Sequence, residues 1–262
     1  MPWSEEMRSA NKYLYCLIKC PDERDFAVDA IGGAGSRVYT VNYLDLAAVV
    51  SDSGTVTDYR INKENASRHE AVIETVLKEF TVLPVGFGCV TEGADQLREK
   101  VLKRHFEEPE ELLNQMDGKV EMALKAIWKD KGIICEQILK SDPRIQGRLN
   151  KIMAAGKMDL SQVIVSSTEV GSRLISTIEK IKERQTRILL ETLEKRAVDK
   201  TLKKVYSPLM IFNAAFLVNR AREEEFDKAV GELDERYGSD IKFIYTGPLA
   251  PYSFVNLRIA LQ

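Results

Sequence analysis

The chain has 262 residues, 44% of them apolar and 30% charged, with 38 basic and 40 acidic residues for a formal net charge of −2. Such a composition supports one large folded domain or two modest ones, and its balanced charge gives no general electrostatic pull toward nucleic acid or an anionic membrane. No apolar run approaches the roughly 20 residues of a membrane span, and the opening MPWSEEMRSANKYL is polar and acidic where a secretory signal needs a basic patch and an apolar stretch, so a cytoplasmic protein is expected.

In chain order, KYLYCLIK at residues 12–19 reads as a strand with both faces partly apolar. After the Gly-rich GGAGS at 32–36 come two strand candidates, 37–43 and 46–51, that suggest a hairpin. Residues 62–80 have helical spacing, with Ala66, His69, Ile73, Val76 and Phe80 on one stripe. TVLPVGFGCV at 81–90 is a short apolar strand interrupted by Pro84 and by Gly86 and Gly88, hence near an edge or a bulge. Acid-rich helices follow to about Met116, and 119–126 then alternate, with Val120, Met122, Leu124 and Ala126 inward and Lys119, Glu121 and Lys125 outward. From 130 to about 204 there is no strong strand signal, and Leu174, Ile178, Ile181, Ile188, Leu189 and Leu193 form an amphipathic stripe on a long helix. Residues 210–218 are apolar on both faces, 220–237 form a charged helix burying Phe226, Ala229, Val230 and Leu233, 241–246 form a strand, and Val255, Leu257, Ile259 and Leu261 pattern a last one. The class is α+β, ending in a βαββ segment with long helices before it. YTGPLAPYSF at 245–254 falls between two strands and reads as a rigid corner, with Gly247 at φ > 0, Pro248 and Pro251 fixing φ, and Tyr252 and Phe254 beside them.

The search for chemistry yields no catalytic residue, metal site or cofactor site. GGAGS lacks the lysine of a phosphate loop and precedes a strand. His69–Glu70 has no second histidine at zinc-protease spacing, and a packed, hydrogen-bonded histidine is the simpler reading. No GxSxG occurs. The four scattered cysteines, Cys16, Cys20, Cys89 and Cys135, form neither a disulfide framework nor a completed zinc site. The basic stretch 195–204 is diluted by Asp199 and carries no RNA-binding aromatic motif.

Three stretches, N-x-x-x-HE…TVLPVGFG (65–88), NAAFLVNRAREEEFDKAV (213–230) and TGPLAPYSFV (246–255), resemble in order and spacing the GvpF/GvpL gas vesicle protein family across nearly the whole chain. The family corner reads Gly-Pro-Trp-Pro-Pro-Tyr-Ser-Phe, and here Leu249 and Ala250 replace its aromatic and one proline. The resemblance implies an N-terminal ferredoxin-like α+β domain (1–128) and a C-terminal part (129–262) of helices plus an α+β domain. It further implies a non-enzymatic accessory or minor structural role, without cofactors, in nucleating or assembling gas vesicles. Its partners would be the small apolar shell protein and other gas vesicle proteins, with neither nucleic acid nor membrane involved. A different class stays open, a ferredoxin-like small-ligand-binding module with a regulatory or enzymatic role. The imperfect strand beside the His69 helix offers an unpaired edge, so His69, Glu70, Val85 and Phe87 are the expected partner-binding residues.

Overall fold

A computed structural model describes residues 10–32, 36–141, 147 and 169–257. Contacts divide the chain into two compact units, Met1–Glu121 with Pro248–Gln262, and Met122–Gly247. Of the sequence expectations, residues 33–35 of GGAGS, the side chains of Cys135 and Leu174, and the last-strand residues Ile259 and Leu261 lie outside the described residues.

The first unit is built on a six-stranded sheet in the order β2-β3-β4-β1-β5, with β6 also pairing β1. The strands are β1 (Asn11–Lys19), β2 (Asp25–Phe26), β3 (Val38–Tyr43), β4 (Leu46–Gly54), β5 (Val82–Pro84) and β6 (Val90–Thr91). The expected hairpin is β3–β4, antiparallel with Tyr43 opposite Leu46. Helix α1 (Lys63–Leu77) starts at Asn62, whose side chain accepts from the Asn65 N–H at 2.8 Å. It packs Val72, Ile73, Val76 and Leu77 into a core with Tyr13, Tyr15, Cys16 and Ile18 of β1. Then come α2 (Gly93–Gln96), a π-helical turn (Leu97–Lys103) and α3 (Glu107–Met116).

Strands β5 and β6 are one edge strand broken by a three-residue bulge. On one side Val85 N–H donates to Tyr15 C=O, and on the other Leu14 N–H donates to Cys89 C=O, both at 2.9 Å. Consecutive β1 residues thus bind partners four apart, which leaves Gly86, Phe87 and Gly88 as the insertion. Gly88 takes φ +90°, a conformation that favours glycine.

The second unit holds a four-stranded sheet in the order β10-β7-β9-β8: β7 (Lys119–Trp128), β8 (Asp199–Leu202), β9 (Met210–Asn219) and β10 (Ile241–Leu249). Helices α4 (Lys131–Ser141) and α5 (Glu169–Glu194) lie between β7 and β8 in the chain, and α6 (Glu223–Tyr237) between β9 and β10. A βαββαβ chain with its fourth strand beside the first and its third beside the second is the ferredoxin-like, split-βαβ arrangement. The α+β class holds; the ferredoxin-like topology implied for the first domain is found in the second unit, because β7 is its first strand. Strand β8 carries no sequence signal: its DKTL is exposed except for half-buried Thr201. Charged, short edge strands lack the apolar alternation that announces a strand. On α5, Ile178, Ile181, Leu189 and Leu193 are buried as their spacing requires, whereas Ile188 is 38% exposed.

Three further expectations are corrected. Glu121 is not outward but 2% exposed, and its carboxylate accepts from Ser253 N–H at 2.7 Å and Ser253 Oγ at 2.6 Å. Gly247 is not at positive φ and does not turn the chain, since β10 runs through Gly247 and Pro248 to Leu249. Because β10 is an edge strand, the missing N–H of Pro248 need not break a ladder bond. The corner lies later, at residues 250–254, where Tyr252 N–H bonds Ala250 C=O and Phe254 N–H bonds Pro251 C=O. Ala250 and Pro251 are buried there. The expected final strand does not start at Val255, and residues 255–257 are irregular.

Moving the corner moves its weak point. Ser253→Ala removes a hydrogen bond to a buried carboxylate and is expected to destabilise by about 1–3 kcal/mol. Gly247→Val, in extended and exposed backbone, is expected to change stability by less than about 1 kcal/mol. Chemical denaturation of both variants checks the pair, and the reverse order would restore Gly247 as the turn.

Candidate functional site

Two of the three motif stretches meet in the first unit, on β1. Tyr13 is fully buried, and its hydroxyl accepts from Gly88 N–H at 3.0 Å and lies 3.0 Å from His69 Nδ1. With the Gly88 amide supplying one proton to the oxygen, the phenol proton points to Nδ1, which sets His69 as the Nε2–H tautomer. The imidazole also has a backbone hydrogen bond with Val85. The motif histidine and the glycine of VGFG are thereby joined through Tyr13, and the bulge is fixed at both ends.

Around this chain of bonds the rings close-pack. His69 stacks on Tyr15 at 5.7 Å between centroids, and Phe87 meets His69 edge-on at 5.7 Å and Tyr13 at 6.2 Å. The Tyr15 hydroxyl accepts from Ile31 N–H at 2.8 Å and pairs with Ser51 Oγ at 2.9 Å. Burial holds the His69 imidazole down at about 4, against a smaller opposing effect of its Val85 bond. It also raises the Tyr13 and Cys16 groups above their ordinary ranges and pushes the Cys89 thiol up to about 11. These groups are therefore neutral at pH 7, which suits packing better than proton transfer or thiolate chemistry. Among the described residues no group of three His, Cys, Asp or Glu side chains is placed to hold a metal.

The corner reaches the same strand. Ala250 belongs to the core cluster around Tyr13 and Cys16. The Tyr252 phenol is raised in pKa, first by burial and then by the neighbouring ionisable groups of Cys16, Glu70, Tyr13 and Glu121, of which the two carboxylates carry charge near neutral pH. Of the four expected partner-binding residues, His69 (4% exposed) and Val85 (8%) belong to the interior. Glu70 is exposed, and Phe87 is a half-buried knuckle packed against the core. Tyr252, 43% exposed, adds an aromatic to the Glu70 neighbourhood that the sequence reading assigned only to the turn. Its Pro-Tyr-Ser context was the available signal, but its position depends on Glu121 holding Ser253 from 132 residues away.

Residues 11–256 match the family model for gas vesicle synthesis proteins GvpL/GvpF. The chain belongs to that family. Relatives of this GvpL/GvpF protein include gas vesicle protein F of Haloferax mediterranei, 28% identical with 96% of each chain covered. Gas vesicle protein L1 of Halobacterium salinarum is 26% identical, covering 95% of this chain and 92% of its own. The crystal structure of GvpF from Anabaena superposes with a TM-score of 0.78 at 23% identity, covering 95% of this chain and all of that one. GvpF from Microcystis aeruginosa gives 0.76 at 24% identity. These two share the fold. No helix among the described residues is long and apolar enough to cross a membrane.

The low His69 pKa makes stability depend on acid. The unfolded imidazole takes up a proton near its ordinary 6.5, while the folded one resists until about 4. Its contribution is therefore unchanged above pH 6.5 and is lost as pH falls through that window. About 1 kcal/mol should disappear between pH 7 and about pH 5.5. Unfolding free energies at the two pH values, for the parent and for His69→Gln, check this; an equal loss in both would assign the acid sensitivity to other groups.

Proposed function

We propose that this protein binds the small apolar shell protein of gas vesicles and keeps it from aggregating while vesicles nucleate and grow, in the cytoplasm and at the vesicle, without catalysis. A subunit that must present an apolar face to gas exposes an aggregation-prone surface until it is assembled. An accessory protein that covers that surface needs an anchor both apolar and firmly held. The observation that carries the reading is the Phe87 knuckle, raised by the bulge and backed by the Tyr13–His69 chain. Glu70 and Tyr252 stand exposed in the same unit. Rigid aromatic anchors dominate binding energy at such surfaces.

The bulge argues for side-chain docking over strand addition at this point, since an insertion breaks the regular spacing of backbone groups an added strand needs. His69 and Val85 act by holding the knuckle in place. Glu70→Lys and Tyr252→Ala should fold and melt close to the parent, yet capture less shell protein in a pull-down. Phe87→Ala should lose more capture, with a lower melting temperature because ring contacts to Tyr13 and His69 go too. Undiminished capture by folded Glu70→Lys and Tyr252→Ala would place the interface elsewhere.

A further inference from the structure

The β3–β4 turn carries a residue that folding alone does not ask for. Tyr43 and Leu46 pair across the hairpin, so Leu44 and Asp45 make a two-residue loop. Leu44 sits at φ +55° and is the one non-glycine residue with positive φ among the described residues. Turns that suit such hairpins need φ > 0 at this position, where glycine, asparagine or aspartate fits and a leucine is strained. Leu44 is also 68% exposed. Its side chain therefore strains the turn and presents apolar surface to water, while adding little to the core. Backbone strain of this kind clusters at functional sites, so Leu44 marks a contact that the folded chain itself does not make.

The surface beside it can receive such a side chain. A groove of about 630 Å³ lies between the hairpin tip and residues 103–111, with Leu44 on its wall. Tyr43 and Phe106, half-buried and edge-to-face with centroids 6.0 Å apart, give it an aromatic lining. Charge is divided along its rim: Lys103 and Arg104 close the π-helical turn, while Glu107, Glu108 and Glu111 lie on the first turns of α3. All five are exposed. Lys103 pairs with Glu99 at 2.8 Å, whereas Arg104, Glu107, Glu108 and Glu111 have no ion pair among the described residues.

One patch thus combines a knob with a groove, and a basic rim with an acidic one. Such a surface is complementary to itself after a two-fold rotation, as an isologous interface requires. A purely acidic or purely basic partner would set one rim against like charge. We propose that this patch joins two copies of the chain, Leu44 of each entering the aromatic groove of the other. The basic rim of each copy then faces the acidic rim of its partner. The patch is separate from the surface assigned to shell-protein capture, because neither Glu70, Phe87 nor Tyr252 lines it.

Sedimentation equilibrium of the full chain from about 1 to about 200 µM, the range in which a modest interface assembles, tests the assignment. A reversible monomer–dimer equilibrium is expected, weakened by salt because the facing rims are exposed. Leu44→Gly should weaken dimerisation about tenfold or more, yet melt at or above the parent because glycine relieves the turn. Arg104→Glu should weaken it with little change in melting, and Arg104→Lys should largely retain it. A parent that stays monomeric throughout that range would overturn the proposal and assign Leu44 to a different protein. Growth beyond the dimer, parent-like dimerisation in Leu44→Gly, or a lower melting temperature for that variant would equally overturn it.

Discussion

The hydrogen-bonded line from Gly88 N–H to the Tyr13 hydroxyl and on to His69 Nδ1 is the constraint around which the first unit is organised. Each bond joins a different stretch: the bulge, the central strand β1 and helix α1. All three groups are polar and deeply placed, so each would carry a desolvation penalty if left alone. Joined in a line, they satisfy one another and leave the flanking rings free to pack. Loss of Tyr13, the middle member, leaves both the Gly88 N–H and His69 Nδ1 without their partner, so its deletion costs more than either bond alone suggests. The same line explains why a histidine, and not an aliphatic residue, sits on the apolar stripe of α1: only a ring with an acceptor on one edge and a donor on the other can reach both Tyr13 and the Val85 backbone.

Glu121 does comparable work for the end of the chain. A carboxylate at 2% exposure needs strong partners, and Ser253 supplies two, its backbone N–H and its hydroxyl. Both oxygens of the carboxylate are engaged, so direction as well as distance is fixed. The segment thus secured contains Ala250, buried in the core of Tyr13 and Cys16. Ala250 closes on the core while Leu249 ends β10 half-buried.

What could be read from the sequence follows the reach of each signal. Apolar periodicity marked β1, the β3–β4 hairpin, α1, β9 and α6, where burial is set by neighbours one or two turns away. His69 as a packed, hydrogen-bonded residue was legible from its stripe, and Pro84, Gly86 and Gly88 correctly announced an edge with a bulge. Glu121 was misplaced because alternation assigns a charge to solvent unless a partner is known, and its partner is 132 residues distant. Gly247–Pro248 looked like a turn because the dipeptide usually is one; an edge position lets Pro248 stay extended. Missing β8 hid the ferredoxin-like order of the second sheet, since without it the chain between β7 and β9 reads as helix alone. Tyr252 was visible as a turn residue, but its placement near Glu70 is a tertiary fact that local spacing cannot carry.

Both sheets also show how open edges are closed. An edge strand presents unpaired backbone groups to any extended chain nearby. In the first sheet the three-residue bulge interrupts the β5–β6 edge, and the Tyr13–His69 line prevents it from flattening into a regular strand. In the second sheet the terminal strand β8 is short and charged, and the Asp199 carboxylate accepts from the Lys200 N–H at 2.7 Å, occupying a donor that an added strand would otherwise use. The Lys200 ammonium is itself held by Glu194, adding charge along the same edge. The two devices differ in chemistry, one a backbone insertion locked by an aromatic core and the other a side chain satisfying a neighbouring backbone group. Both remove the run of regularly spaced, unpaired backbone groups by which a bare strand edge accepts almost any extended sequence.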